Sequence, residues 1–173
     1  MVINQNLIQL RGDKKIHNKL DELSIKFEYF EHEAIPTIEL ALIHKKNIDA
    51  THCKNIFLRN HKGNKHYFII LEQSKIANIR QLELMLKQGK LSFASEKRLI
   101  KHLNVKAGAV SPLGLVYDTE KNSHLFIDAE LKNAEKLSFH PNVSDASLVI
   151  SFQNLIKYID NIGISYSFID LSI

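Results

Sequence analysis

Asn55-Ile-Phe-Leu-Arg59, then His61-Lys-Gly63-Asn64, then His66-Tyr-Phe-Ile-Ile-Leu71 is the stretch on which the fold turns. Two runs rich in aromatic and branched apolar residues flank a polar segment containing a glycine. Such runs fit a pleated, half-buried surface, and glycine opens turn conformations closed to most side chains, so the stretch predicts a β-hairpin. Lys54 then stands at the start of the first strand, where a charged head can emerge at a rim while its neighbours pack inward.

Helix signals lie on either side of the hairpin. Upstream, Ile16, Leu20, Leu23 and Phe27 recur at helical spacing after Asp13, a capping residue type, and Phe27 to His32 reads as a strand. Pro36-Thr37 then resets the chain, with Thr37 capping a short helix through Ala41, Leu42 and Lys45. Downstream, Asn78 caps a helix with Ile79, Leu82, Met85 and Leu86 that stops at Gly89, and Ser95 caps another with Leu99, Ile100 and Leu103. Leu91 to Ala94, between them, is too short to assign. Strands are expected at Leu113–Tyr117, His124–Asp128, Ala146–Ile150 and Tyr166–Leu171, with a helix capped by Ser151 and closed by Gly163 before the last. Strands interspersed with helices, with at least one hairpin, predict an α/β fold: a mixed, mostly antiparallel β-sheet with packed helices, in a single domain spanning residues 1–173.

Bulk properties agree with a globular chain. Its 173 residues are 45% hydrophobic and 24% charged, with net charge +4. That length suffices to bury roughly two thirds of the unfolded surface around one core. No apolar run of about 18 residues is present, nor a basic leader with a small-residue cleavage site, so a soluble cytoplasmic protein is expected. Cys53 is the only cysteine, which excludes an internal disulfide and a four-cysteine zinc site and fits a reducing compartment. The basic excess favours encounter with a polyanion without naming one.

Generic catalytic motifs fail. Ser111 lies three residues after Gly108, so no nucleophile elbow forms, and neither a phosphate loop nor a dinucleotide turn occurs. His61 and His66 have a zinc-like spacing but nothing to complete a tetrahedral set, and read better as surface histidines. Cys53 beside Lys54 reads as an inert packed thiol, since adjacent strand residues face opposite ways.

Three stretches carry a resemblance when taken together: Cys53-Lys54-Asn55-Ile-Phe-Leu-Arg59 with its hairpin; Leu91-Ser-Phe-Ala-Ser95-Glu96 running to Gly108-Ala-Val-Ser-Pro112-Leu-Gly-Leu115; and Ser138-Phe-His140-Pro141-Asn142. In order and spacing, from about Lys14 to Leu171, the chain resembles the YbaK/ProX-type prolyl-tRNA editing proteins, relatives of the editing domain inserted in bacterial prolyl-tRNA synthetases. The likeness is strongest to the ProX branch, through Lys54-Asn55 and the run Phe-His140-Pro-Asn142. It implies a YbaK-like fold and an aminoacyl-tRNA deacylase, with mischarged tRNA(Pro) as substrate and prolyl-tRNA synthetase as a further partner. Neither a metal nor another cofactor is implied. Lys54 matches the lysine the family requires, Gly108 and Pro112 its Gly-x-x-x-Pro loop, and His140 a histidine near the same pocket. Val143 and Asp145 depart from frequent hydroxyl residues and Ile56 from a frequent leucine, which bears on amino-acid preference rather than on the reaction.

An aminoacyl ester is already activated, so an enzyme has mainly to orient the terminal adenosine, place a water and stabilise the oxyanion. The backbone N–H groups of Ala109, Val110 and Ser111, in the Gly108–Pro112 loop, are the candidate oxyanion donors. By local chemistry alone Lys54 would be one solvated lysine among many; the family register makes it a fixed cation beside that loop, holding substrate rather than removing a proton. His140 is suited to orienting the water or the ribose hydroxyls, Asn55 to recognising the α-amino group or a ribose hydroxyl, and Pro112 and Asn142 to shaping the substrate pocket. Cysteine in place of alanine as the amino acid removed, and a non-catalytic tRNA-binding module using Lys45, Lys46, Lys62, Lys65, Lys97, Arg98 and Lys101, are the competing readings.

Overall fold

The computed structural model describes residues 10–33 and 47–170. The helix expected after Thr37, Lys45 and Lys46, and the end of the last expected strand at Leu171 lie outside them.

Eight strands form the sheet: β1 (Glu28–Glu31), β2 (Thr51–Arg59), β3 (His66–Glu72), β4 (Ser92–Phe93), β5 (Ser123–Asp128), β6 (Lys136–Phe139), β7 (Ala146–Ser151) and β8 (Ser165–Ile169). Their order is β1-β7-β6-β2-β3-β5-β8, with β4 attached to β2. The pairings β1/β7, β2/β3, β2/β4 and β6/β7 are antiparallel, whereas β2/β6, β3/β5 and β5/β8 are parallel. The expected mixed, mostly antiparallel sheet is borne out, and its centre is the predicted hairpin.

Helix α1 (Lys14–Glu22) begins where Asp13 accepts from the amides of Lys15 and Ile16. Asp13 does more than cap. Its carboxylate also receives the Tyr117 hydroxyl (2.9 Å) and the Asn104 side-chain amide (3.0 Å), and its own N–H donates to the Pro141 carbonyl (2.8 Å). Helix α2 (Ile79–Leu86) is capped by Asn78, and α4 (Phe152–Ile162) runs from Ser151 to a left-handed Gly163, both as the capping chemistry predicts. Helix α3 (Glu96–Leu103) starts after Ser95, whose side chain makes no capping bond.

Strand alternation separates two apolar clusters. On the first face, Phe57, Phe68, Ile70, Leu125, Leu137 and Leu148 pack against α1, α3 and α4. On the second, Leu58, Tyr67, Ile69, Leu71 and Phe126 pack under Leu82 and Leu91. Each fully buried Leu, Ile or Phe contributes about 1.5–3 kcal/mol of transfer free energy, so these clusters fix the sheet's register.

Three expectations need correction, and one strand is unanticipated. Leu113–Tyr117 is not a strand: Pro112–Tyr117 is a 3₁₀ helix buried nearly all round, begun by Pro112 and capped by Ser111, whose Oγ accepts from the Leu113 amide (3.2 Å). Strand β2 starts at Thr51, because Thr51 and His52 pair with Leu137 and Ser138, so Lys54 lies inside the strand and not at its start. Residues 136–139 form a strand that local pattern did not suggest. His66 is not a surface histidine: it is 2% exposed, stacked on Phe57 and packed on His102 at 4.0 Å between ring centroids.

Candidate active site

The sheet opens at one place. β2 and β6 run side by side at Thr51/Leu137 and His52/Ser138 and then part, and β4 joins β2 only at Leu58 and Arg59. The Ala94 amide donates to the Phe57 carbonyl at 2.8 Å, marking the far side of this fork. On the β3 side the His52 carbonyl accepts from the Gln73 amide at 3.0 Å. Main-chain groups alternate along a strand, so those of Cys53, Asn55 and Phe57 point away from β3. Asn55 therefore aims its amide and carbonyl into the fork, in the interval where neither β6 nor β4 pairs with β2.

Side chains alternate as well. Cys53, Asn55 and Phe57 turn to the first face, and Lys54, Ile56 and Leu58 to the second. Asn55 Oδ1 is buried with no hydrogen-bond partner among the described residues. An acceptor left so costs about 1–3 kcal/mol, which a ligand donor would recover. The Cys53 thiol is pushed up to about 12 by burial, reinforced by Glu72 and Asp128, so it stays protonated and unreactive.

Lys54 is half-buried, and its Nζ donates to the Lys75 carbonyl at 2.5 Å. The Lys75 ammonium, in turn, is neutralised by Asp128 (2.7 Å) and Glu130 (2.9 Å). Among the described residues Lys54 has no carboxylate partner, so it keeps a positioned, uncompensated charge.

His140 stands just past the end of β6, on the far lip of the fork. Its Nδ1 lies 2.8 Å from the Ala146 carbonyl, an oxygen that can only accept, so Nδ1 carries the proton in the neutral ring. The His140 ring meets that of His32 edge-on at 6.0 Å, and His32 Nε2 lies 3.0 Å from Ser147 Oγ. Paired strand residues share a face, which puts Ser147, Val149, Ser138 and His52 on the second face, with Lys54 two residues beyond His52. A polar band of His32, Ser147, His140, Ser138, His52 and Lys54 results. His32 and His52 were missed from sequence: His52 lies on β2 and His32 just past the end of β1, and only the pairing of distant strands brings them to this band.

The Gly108–Pro112 loop lies on the opposite face, where Ala109 and Val110 pack into the first cluster. Gly108 is exposed with φ +94, a conformation that requires glycine, and a Cβ there would meet nothing within 4 Å. The Ala109 amide donates to the Lys106 carbonyl (3.4 Å), and the buried Ser111 accepts through both Oγ and its carbonyl (from Gly114, 3.1 Å). Among the described residues the Val110 and Ser111 amides make no hydrogen bond. Asn142 binds the Leu103 and Asn104 carbonyls (2.7 and 3.3 Å), so its amide ties the β6–β7 turn to the end of α3. Its buried Oδ1 lacks a partner among the described residues, and lies 3.0 Å from where a Gly114 Cβ would sit. The loop and this turn enclose a cleft of about 640 Å³ lined by Asn104, Lys106, Ala109, Asn142 and Asp145.

The anticipated residues thus fall into two groups, Lys54 with the band of His140, and Gly108–Pro112 with Asn142. The expectation that Lys54 stands beside the loop does not hold, because strand alternation sends its head to the other face. Asn55, with its side chain on the loop's face and its main chain in the fork, lies between the groups.

The chain is 36% identical over 154 residues to the prolyl-tRNA editing protein ProX of Acetoanaerobium sticklandii, covering 88% of this chain and 93% of that one. It is 27% identical to the prolyl-tRNA synthetase associated domain-containing protein 1 of Bos taurus, over 86% of this chain and 88% of that one. A solved structure described as a candidate trans-editing enzyme for prolyl-tRNA synthetase superposes with TM-score 0.71 at 13% identity, covering 92% of this chain and 96% of that one, and so shares the fold. Another, the hypothetical protein APE2540, does so with TM-score 0.69 at 16% identity, covering 92% of this chain and 100% of that one. Residues 32–158 match the aminoacyl-tRNA editing domain, and the chain belongs to that family, in agreement with the resemblance carried by its Lys54, Gly108–Pro112 and His140 segments.

Proposed function

We propose that this chain is a trans-editing deacylase that hydrolyses mischarged proline tRNA in the cytoplasm, Ala-tRNA(Pro) before others, with residues 1–173 acting as one editing domain. The observation that carries the reading is the positioned ammonium of Lys54 on the same sheet face as His140, at a fork where Asn55 offers buried, unpaired acceptor capacity. Prolyl-tRNA synthetase, which makes the mischarged product, is the partner from which substrate arrives.

In this reading the terminal adenosine enters the fork and the α-ammonium of the amino acid donates to Asn55 Oδ1. Water attacks the ester carbonyl carbon. His140 orients that water, accepts its proton and returns one to the ribose oxygen as the C–O bond breaks. Products are the free amino acid and a tRNA with its terminal hydroxyl restored. Lys54 stabilises the charge that develops on the carbonyl oxygen, and the Val110 and Ser111 amides serve any part of the substrate that reaches the loop's face. Asn142 shapes that pocket by holding the turn to α3.

Lys54→Ala is expected to lower kcat/KM on Ala-tRNA(Pro) by about 10²–10³, the scale of losing one oxyanion-stabilising group, with an unchanged circular dichroism spectrum. Undiminished turnover would remove Lys54 from the reaction. The same assay with Cys-tRNA(Pro) decides whether alanine is the preferred amino acid.

A further inference from the structure

One end of the molecule carries a concentration of positive charge that the reaction itself does not use. The β2–β3 turn holds Lys62 and Lys65, the segment after α2 holds Lys87 and Lys90, and α3 holds Lys97 and Lys101; all six side chains are exposed. Tertiary contacts bring these segments together. A Cβ on Gly89 would lie 3.1 Å from the Cβ of His61, and Arg98 donates to the Gly63 carbonyl at 2.8 Å. Lys101 is near enough to help lower the pKa of His66, which begins the strand after the turn. Across residues 61–65, 87–90 and 95–101 the only acidic residue is Glu96. None of the six lysines forms an ion pair among the described residues, whereas Arg11, Lys19, Lys75 and Lys136 elsewhere do.

The second observation is Phe93. It is 72% exposed, the most exposed of the large hydrophobic side chains among the described residues. Phe93 pairs with Leu58 and therefore shares the face to which Lys54 points, four residues along β2 and one strand over. At about 3.3 Å per residue and about 4.8 Å between strands, it lies roughly 14 Å from Lys54. β4 borders the fork on the side opposite His140, so Phe93 stands between the reaction centre and the lysines.

We propose that this end is the docking surface for the acceptor helix of the tRNA: the six lysines hold its phosphates, and Phe93 stacks an unpaired base of the 3′ end on its way to Lys54. The proposal rests on the deacylase reading for its substrate and adds the surface and direction of approach. The chemistry is complementary on both counts. Exposed lysines without carboxylate partners release counterions from a phosphate backbone, and an exposed aromatic ring accepts any base face without reading sequence.

The test combines Lys62→Ala, Lys65→Ala, Lys97→Ala and Lys101→Ala in one variant, with Phe93→Ala as a second. Binding of uncharged tRNA(Pro) is followed by fluorescence anisotropy across salt concentrations. The four-lysine variant is expected to bind at least about tenfold more weakly and to lose about 3 from the slope of log K against log salt, at ~0.7–0.9 per phosphate contact. On mischarged tRNA its KM is expected to rise about tenfold with kcat within about twofold. On an aminoacylated single-stranded oligonucleotide of the 3′ end, which lacks the acceptor helix, it is expected to match the wild type, while Phe93→Ala raises KM on both substrates. An unchanged salt slope, or an equal loss on the oligonucleotide, would overturn the proposal. Wild-type binding with a slope that the four-lysine variant loses, but no ester hydrolysis by either, would sustain the docking surface and sink the deacylase reading. Normal hydrolysis with an unchanged slope would do the reverse.

Discussion

Two pairs of histidines flank β2, and they have opposite chemical fates. His32 and His140 meet edge-on at 6.0 Å, are half-buried, and each directs Nδ1 at a backbone carbonyl, Glu33 and Ala146 respectively. His66 and His102 lie 4.0 Å apart at the other end of the strand and are 2% and 5% exposed. Burial, the charge of His102 and the nearby Arg98 push His66 down to about 4. Burial lowers His102 too, against the upward pull of Asp118. Enclosed among rings beside a guanidinium, a histidine is held neutral and serves packing, whereas the His140 ring stands half-buried at the lip of the fork. Residue type is the same in both pairs, and only the surroundings assign the role.

The comparison breaks most directly at His140. His140→Ala is expected to reduce kcat on mischarged tRNA by about 10² while leaving the melting temperature within a few degrees, as measured by single-turnover deacylation beside thermal denaturation. If activity survives, the half-buried pair is structural and the distinction fails. His66→Ala should behave the opposite way, costing about 2–4 kcal/mol of stability, because it empties a space between Phe57 and His102 and strips Arg98 of one partner. Urea titration measures that loss, and the folded fraction should hydrolyse substrate at the wild-type rate. A smaller effect concerns pH. The folded pKa of His66 lies below its ordinary value of about 6.5, so the unfolded chain binds more protons between about 6.5 and about 4. Stability is therefore full above pH 6.5 and declines as pH falls toward 4, and His66→Phe should flatten that decline. A melting temperature equally steep in the variant would move the sensitivity to other groups.

Much of this layout was legible in the chain. The hairpin could be read from two apolar runs around Gly63, α4 from Ser151 and Gly163, and α1 from Asp13, because these signals are local in the backbone. The 3₁₀ helix at Pro112–Tyr117 escaped because it is buried nearly all round: an apolar run packed on every side has no period to separate helix from strand. β6 escaped because its four residues gain strand character from β2 and β7, which are distant in sequence. Asn142 announced itself only as part of a motif, and its amide proves committed to the carbonyls at the end of α3.

The candidate site divides along the same line. The sequence alone determined which residue types stand near one another along the chain: the Lys54-Asn55 pair, the glycine and proline of the 108–112 loop, and the histidine before Pro141, together with the register that marks the family. Tertiary structure decided which of them meet. Alternation along β2 sends Lys54 to one face and Asn55 to the other, the parting of β6 and β4 leaves the Asn55 main chain facing a fork, and His52 on β2, His32 after β1 and His140 after β6 reach one band from three separate parts of the chain. The reason is geometric. A strand fixes the direction of each side chain by parity, but which face holds a core and which holds a site depends on the helices and strands that pack against it, and those come from elsewhere in the chain.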